Sequence, residues 1–351
     1  MAAQPDVAIQ APARETMPGW ARLGMGGALC LAIAGAAEAA GVAAPLVGAP
    51  LFAIAFGVVL TNGLRNVLNL GTLRIGEVSK LCLKGGIILL GGSLDLGDIV
   101  RTGVDSLPLL VITVTAGLVC SLWLGKRMGI DWRIRCLIGI GTTICGASAI
   151  AALAPVIRAR AEEIAYAITV VFFFNMIAVF TFPAFGHALS LSDPGFGLWT
   201  GTAVNDTSAV VAAGFAYSPA AGTIATIVKL TRTTLIIPMV LGFGLALPFL
   251  EKQPNDQHVP LGRRVYQAVP VFIIFFVLAS ALNTLGLTGS YAPEIQTLGR
   301  WVMVVALAAV GLQGHWRAFA GAGAKPLLLG FLAWMAVAGS SLAVQTWSGA
   351  L

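Results

Sequence analysis

The chain has 351 residues, 58% of them hydrophobic and only 10% charged, with a net charge of +6. A soluble domain needs about 25% charged residues to cover its surface, so this composition excludes an ordinary soluble protein. The basic residues are scattered singly along connections and form no nucleic-acid face, and the five cysteines (Cys30, Cys82, Cys120, Cys136, Cys145) contain no CxxC pair, which leaves neither a disulfide framework nor a metal site.

Met1–Gly19 is polar and carries Pro5, Pro12 and Pro18, so residues 1–19 read as a flexible cytoplasmic tail ahead of a polytopic transmembrane domain over 20–351. Arg22 and the apolar run to Ala37 imitate a signal peptide, but many further apolar stretches follow, which favours a first span. A membrane helix needs about 20 apolar residues to cross a hydrocarbon core roughly 30 Å thick. By that measure the chain offers about eleven transmembrane helices, near 21–40, 46–62, 80–94, 107–125, 136–154, 163–186, 196–214, 221–249, 267–284, 300–313 and 326–346. With the N-terminus inside, 15 of the 21 lysines and arginines fall on the inner side of this scheme, four on the outer side (Arg101, Arg158, Arg160, Arg300) and two within a span. An asymmetry of that size orients the protein by the positive-inside rule.

Two self-similarities appear. Residues 94–110 match 312–328 at a shift of 218, each copy joining a glycine-rich span to a Pro-Leu-Leu start of the next. The two copies run in opposite directions through the scheme, which predicts inverted repeats, a common plan of secondary transporters. At a shift of 60, GTTICGASAI (141–150) matches GTAVNDTSAV (201–210). Small and hydroxyl residues in mid-span suit a helix broken at mid-membrane, where freed backbone groups line a cavity.

The polar residues inside spans are the candidate site. Asn205, Asp206, Thr207 and Ser208 form the most polar cluster. A carboxylate at bilayer depth must pair, bind a cation or carry a proton, though Asp206 can equally be a plain helix cap. Lys229 and Arg232 share one helix face at i, i+3 and suit an anionic substrate. Structural pairing with Asp206 or Glu162/Glu163, or snorkelling to an interface, are the alternatives. Substrate binding is thus expected at Lys229, Arg232, Thr142, Thr143, Ser148, Thr207 and Ser208, and ion coupling at Asp206, Asn205, Glu162 and Glu163. Asn175, His187 and Asn283-Thr284 suit packing, interface and capping roles. Three histidines without HExxH, GxSxG or a Walker loop argue against an enzyme, a cofactor, a metal centre or ATP-driven pumping.

GTTICGASAIAALAPVIRARA (141–161) with Glu162-Glu163, GLWTGTAVNDTSAVVAA (197–213), ATIVKLTR (225–232), Asn283-Thr284 and KPLLLG (325–330) resemble the YeiH-type bacterial membrane proteins named as sulfate exporters. The resemblance covers nearly the whole chain after Trp20. Asn205 and the polar Gly311–His315 stretch depart from what the resemblance leads one to expect. It implies a multi-pass protein of the bacterial inner membrane, related in architecture to bile-acid and sodium/proton antiporter folds. The expected function is alternating-access export of a small anion, sulfate or sulfonate-like, coupled to a proton or sodium. A cation antiporter using Asp206 and a non-transporting membrane scaffold are the competing readings. The expected partners are the anion, the coupling ion, the lipid bilayer and, as an option, a second copy of the chain.

Overall fold

The computed structural model describes residues 18–44, 48–63, 73–250, 271–314 and 323–349. Most of the N-terminal tail, the start of the ninth stretch, His315, and the basic residues Arg14, Arg65, Lys252, Arg263, Arg264 and Arg317 lie outside them. Every described element is helical. Six helices are long and apolar enough to cross a membrane, and shorter apolar helices accompany them. Large apolar side chains such as Leu31, Val59, Leu81, Val111 and Leu278 stand exposed on the outer surface, as a lipid-facing surface requires.

Five helices form one bundle: α1 (Gly19–Ala43), α2 (Gly48–Gly63), α3 (Ile75–Gly91), α12 (Val271–Thr284) and α13 (Ala292–Leu312). Glycines set the spacing where α2 meets α13. A Cβ on Gly311 would stand 2.4 Å from the Ile54 carbonyl oxygen, and one on Gly57 2.7 Å from that of Ala308. Thr61 and Asn62 extend this contact by donating to the carbonyls of Leu312 and Gly314. Gly311→Ala is therefore expected to cost about 1–3 kcal/mol through overpacking, read as a lower melting temperature in detergent. Gly339→Ala on the last helix, where nothing lies within 4 Å, is its silent control.

The second bundle holds α4 (Leu96–Arg127), α5 (Trp132–Thr143), α6 (Ala147–Leu153), α7 (Ala161–Ala188), α8 (Asp193–Ala203), α9 (Thr207–Tyr217), α10 (Pro219–Thr234) and α14 (Ala324–Ser348), with α11 (Ile236–Leu250) continuing from α10. Capping residues place the helix starts. The carboxylates of Asp95 and Asp131 accept the first-turn N–H groups of α4 and α5. Ser192 and Ser218 do the same for α8 and α10, each ahead of a proline in the first turn, where proline's missing N–H costs nothing.

Two of the stretches that read as single spans fold back on themselves. The stretch 136–154 is a hairpin: α5 runs in, the chain turns at 144–146, and α6 returns. The ends meet again where Arg133 Nε donates to the Ile157 carbonyl at 3.1 Å. The stretch 196–214 is a second hairpin of α8 and α9, closed by Tyr217 donating to the Leu191 carbonyl and Ser218 to Asp193. Arms of 12 and 11 residues reach about 17–18 Å at 1.5 Å per residue, roughly half a hydrocarbon core. The 28 residues of α7 join the open end of the first hairpin to that of the second. At about 42 Å, α7 is long enough to set the two open ends on opposite faces of a membrane.

Candidate functional site

The two hairpin tips meet. A Cβ on Gly146 would lie 3.7 Å from that of Asp206, and the breaks fall in equivalent registers, 144–146 and 204–206, at the shift of 60 seen in the sequence. Each tip ends a helix whose last carbonyls lack intrahelical partners and carry the negative end of the dipole. Gly146 turns the first tip at φ 67° and ψ −132°, a region open in practice to glycine alone.

Lys229 and Arg232 fill the space between the tips from α10, and both are fully buried. Lys229 Nζ donates to the carbonyls of Ile144 (2.5 Å) and Val204 (3.2 Å) and to that of Asn205. Arg232 donates from Nε to Thr143 O (2.5 Å), from Nη2 to Thr142 O (2.7 Å), and from Nη1 to Val204 O (3.0 Å) and Gly201 O (3.4 Å). Two cations thus bind the carboxyl ends of two short helices whose hairpins open at opposite ends of α7. The three ammonium protons match three carbonyls, which leaves Lys229 no donor for an anion. At Thr142 and Thr143 the backbone oxygens bind Arg232, while the Thr143 hydroxyl turns back to Gly139 O.

The other side of the tips is more open. Asp206 caps α9: its carboxylate accepts the Ser208 N–H at 2.9 Å and the Ser208 hydroxyl. The N–H groups of Asn205 and Asp206 both donate to Asn175 Oδ1, at 3.1 and 3.0 Å. Asn205 Oδ1 is buried with no hydrogen-bond partner. Asp206 and Thr207 are half-buried and Ser148 is exposed. A small cavity of about 20 Å³ borders Asn175, Asp206 and Ser208 against Ile54 and Val310 of the first bundle. It is large enough for one water, since a water needs only ≳ 10–15 Å³.

Glu162 and Glu163 are not part of this cluster. They sit in the first turn of α7 at the open end of the first hairpin, where Glu163 accepts the backbone N–H and guanidinium of Arg160 in a capping box. That bond raises the Arg160 pKa. From Glu163 to Asn175, beside Asp206, α7 rises about 18 Å.

Sequence reasoning passed over Asn175 as a packing residue, and it missed the α14 face entirely. Trp334 donates to Ala203 O at the second tip, Trp199 to Ala338 O, and Thr202 shares a hydrogen bond with Ser341. Ser341 and Gln345, polar and four residues apart inside an apolar run, were the available signal.

Among known proteins, the family described as conserved hypothetical protein 698 matches residues 25–330. A UPF0324 membrane protein of Streptococcus pyogenes serotype M18 is 39% identical over 327 residues, 90% of this chain and 95% of that protein. One from Streptococcus agalactiae serotype V is 38% identical over the same shares, and one from Streptococcus pneumoniae is 38% identical over 87% of this chain and 91% of its own length. No solved structure matches. The chain is therefore a multi-pass membrane protein and belongs to this family, the YeiH family its motifs resemble.

Proposed function

We propose that this member of the YeiH family is a secondary transporter that carries a small anion across the bacterial inner membrane by alternating access at the paired hairpin tips. One observation carries the reading: two short-armed hairpins, joined at their open ends by the 28-residue α7, meet tip to tip around charged and hydroxyl side chains, which in this reading lie at mid-membrane. Non-helical backbone at that depth is tolerated only where protein or a water-filled cavity surrounds it, and discontinuous helices at the midplane are where transporters bind solute.

In this reading the roles of the cations change. Lys229 and Arg232 hold the tips in place of gripping substrate, because backbone carbonyls already take their donors. The solute lies on the opposite side of the tips, against Ser148, Thr207 and Ser208, and Asp206 couples an ion or proton through the half-buried carboxylate beside the cavity. Glu162 and Glu163 act on α7 capping and not on coupling. The pairing of α3 with α13 and of α4 with α14 supports inverted repeats at the shift of 218. The hairpins also sharpen the orientation. The first hairpin returns Arg158 and Arg160 to the side of Lys126–Arg135, and this added charge bias supports a cytoplasmic N-terminus.

Purified protein in proteoliposomes should show saturable counterflow of a small sulfonate or sulfate. Flux of sodium or protons with no anion dependence would favour the antiporter reading, to which the Asp206 carboxylate also lends itself. Absence of any flux would reject transport.

A further inference from the structure

Beside the second hairpin, a cavity of about 170 Å³ lies between α1, α2, α9 and α13. It is bordered by Glu38 and Arg300 among apolar side chains that include Phe215, Met303 and Leu307. Arg300 Nε is buried with no hydrogen-bond partner, and among the described residues neither Arg300 nor Glu38 joins an ion pair. A buried Nε–H without an acceptor, on an arginine that borders a partly open cavity, lacks the compensation that buried donors normally find. A carboxylate bordering the same cavity from α1 makes a site with two charges of opposite sign among apolar side chains.

The cavity is aligned with the tips. Its walls use Ala49 and Pro50 of α2, Val211 and Phe215 of α9, and Val304 and Leu307 of α13. The small cavity at Asp206 uses Ile54, Ala209 and Val310, one or two turns further along the same three helices. Both spaces lie in the seam where the first bundle meets the second hairpin. The larger one lies toward that hairpin's open end.

We infer that the Glu38–Arg300 cavity is a solute-binding site on the path to the tips, and that it selects a small zwitterion: an oxyanion that Arg300 holds by paired N–H donors and an ammonium that Glu38 accepts. At about 170 Å³ the cavity suits a solute with a few heavy atoms beyond its two charged ends. This deepens the transport reading by adding a required positive group to the anion, and it rests on that reading only for the direction of the path.

The test is the melting temperature of the purified full-length protein in detergent, with no gradient, titrated with 3-aminopropane-1-sulfonate, propane-1-sulfonate and propylamine. A ligand that binds only the folded state raises the midpoint with its occupancy. The zwitterion should give a saturable rise at least tenfold lower in concentration than propane-1-sulfonate, and propylamine none. Arg300→Gln should lose the response to both sulfonates, and Glu38→Gln should bring the zwitterion down to the level of propane-1-sulfonate. Equal responses to the two sulfonates would overturn the zwitterion and leave the anion reading standing. A response to propylamine alone would overturn both. No response to any of the three in the unaltered protein would remove the site.

Discussion

Lys229→Ala or Arg232→Ala should lower the melting temperature by on the order of 10 °C. Removing one partner from a buried charged network costs about 3–5 kcal/mol, because the groups left behind lose hydrogen bonds they cannot replace from water. At about 2–4 °C per kcal/mol for chains of moderate size, the shift is well outside error. Lys229→Ala strands a carbonyl on each tip, Ile144 on the first and Asn205 on the second, while Val204 keeps its bond to Arg232. Arg232→Ala strands Thr142, Thr143 and Gly201. Thr234→Ala, an exposed site on the same helix, is the control and should shift stability by less than about 0.5 kcal/mol. If the cations were substrate ligands instead, each alanine variant would keep its midpoint in the absence of solute and lose only the response to solute.

Asp206→Asn should abolish gradient-driven flux while leaving the fold nearly unchanged. Asparagine caps a helix about as well as aspartate, so the bond to the Ser208 N–H survives and only the charge is lost. Asp206→Ala removes the cap as well and should cost about 1 kcal/mol more. The pair of variants separates coupling from capping. A purely structural Asp206 would show flux that follows stability, with the asparagine variant transporting normally. A coupling Asp206 would show the asparagine variant folded and inactive.

Much of this arrangement was legible in the sequence, and the reasons differ by element. The long apolar helices α1, α4, α7 and α14 were plain, since a run that must face lipid has one composition. The two breaks were readable as well. The shift of 60 aligns GTTICGASAI with GTAVNDTSAV, and the chain breaks at the same register in both. What composition could not give was the direction after each break. A half-depth hairpin and a crossing helix are both apolar stretches of about 20 residues, and they differ only in whether their ends meet. The signal was electrostatic: Arg158 and Arg160 fall on the sparsely charged face if 136–154 crosses, and on the basic face if it turns back. The partners of Lys229 and Arg232 were hidden for a related reason. Two cations in a span serve a solute or a backbone equally well, and only the position of the tips decides which oxygens lie within reach.

The side of the membrane on which four positions lie tests the re-entrant hairpins most directly. Single cysteines replace Lys126, Ala161, Ala188 and Ala220, all exposed at helix ends, in a chain whose five native cysteines are serine, and an impermeant thiol reagent is applied to each face. Re-entrant hairpins require 126 and 161 to react from one face and 188 and 220 from the other. Reaction of 126 with 188 from one face, and of 161 with 220 from the other, would mean that both stretches cross, and the meeting of two hairpins from opposite faces would be wrong.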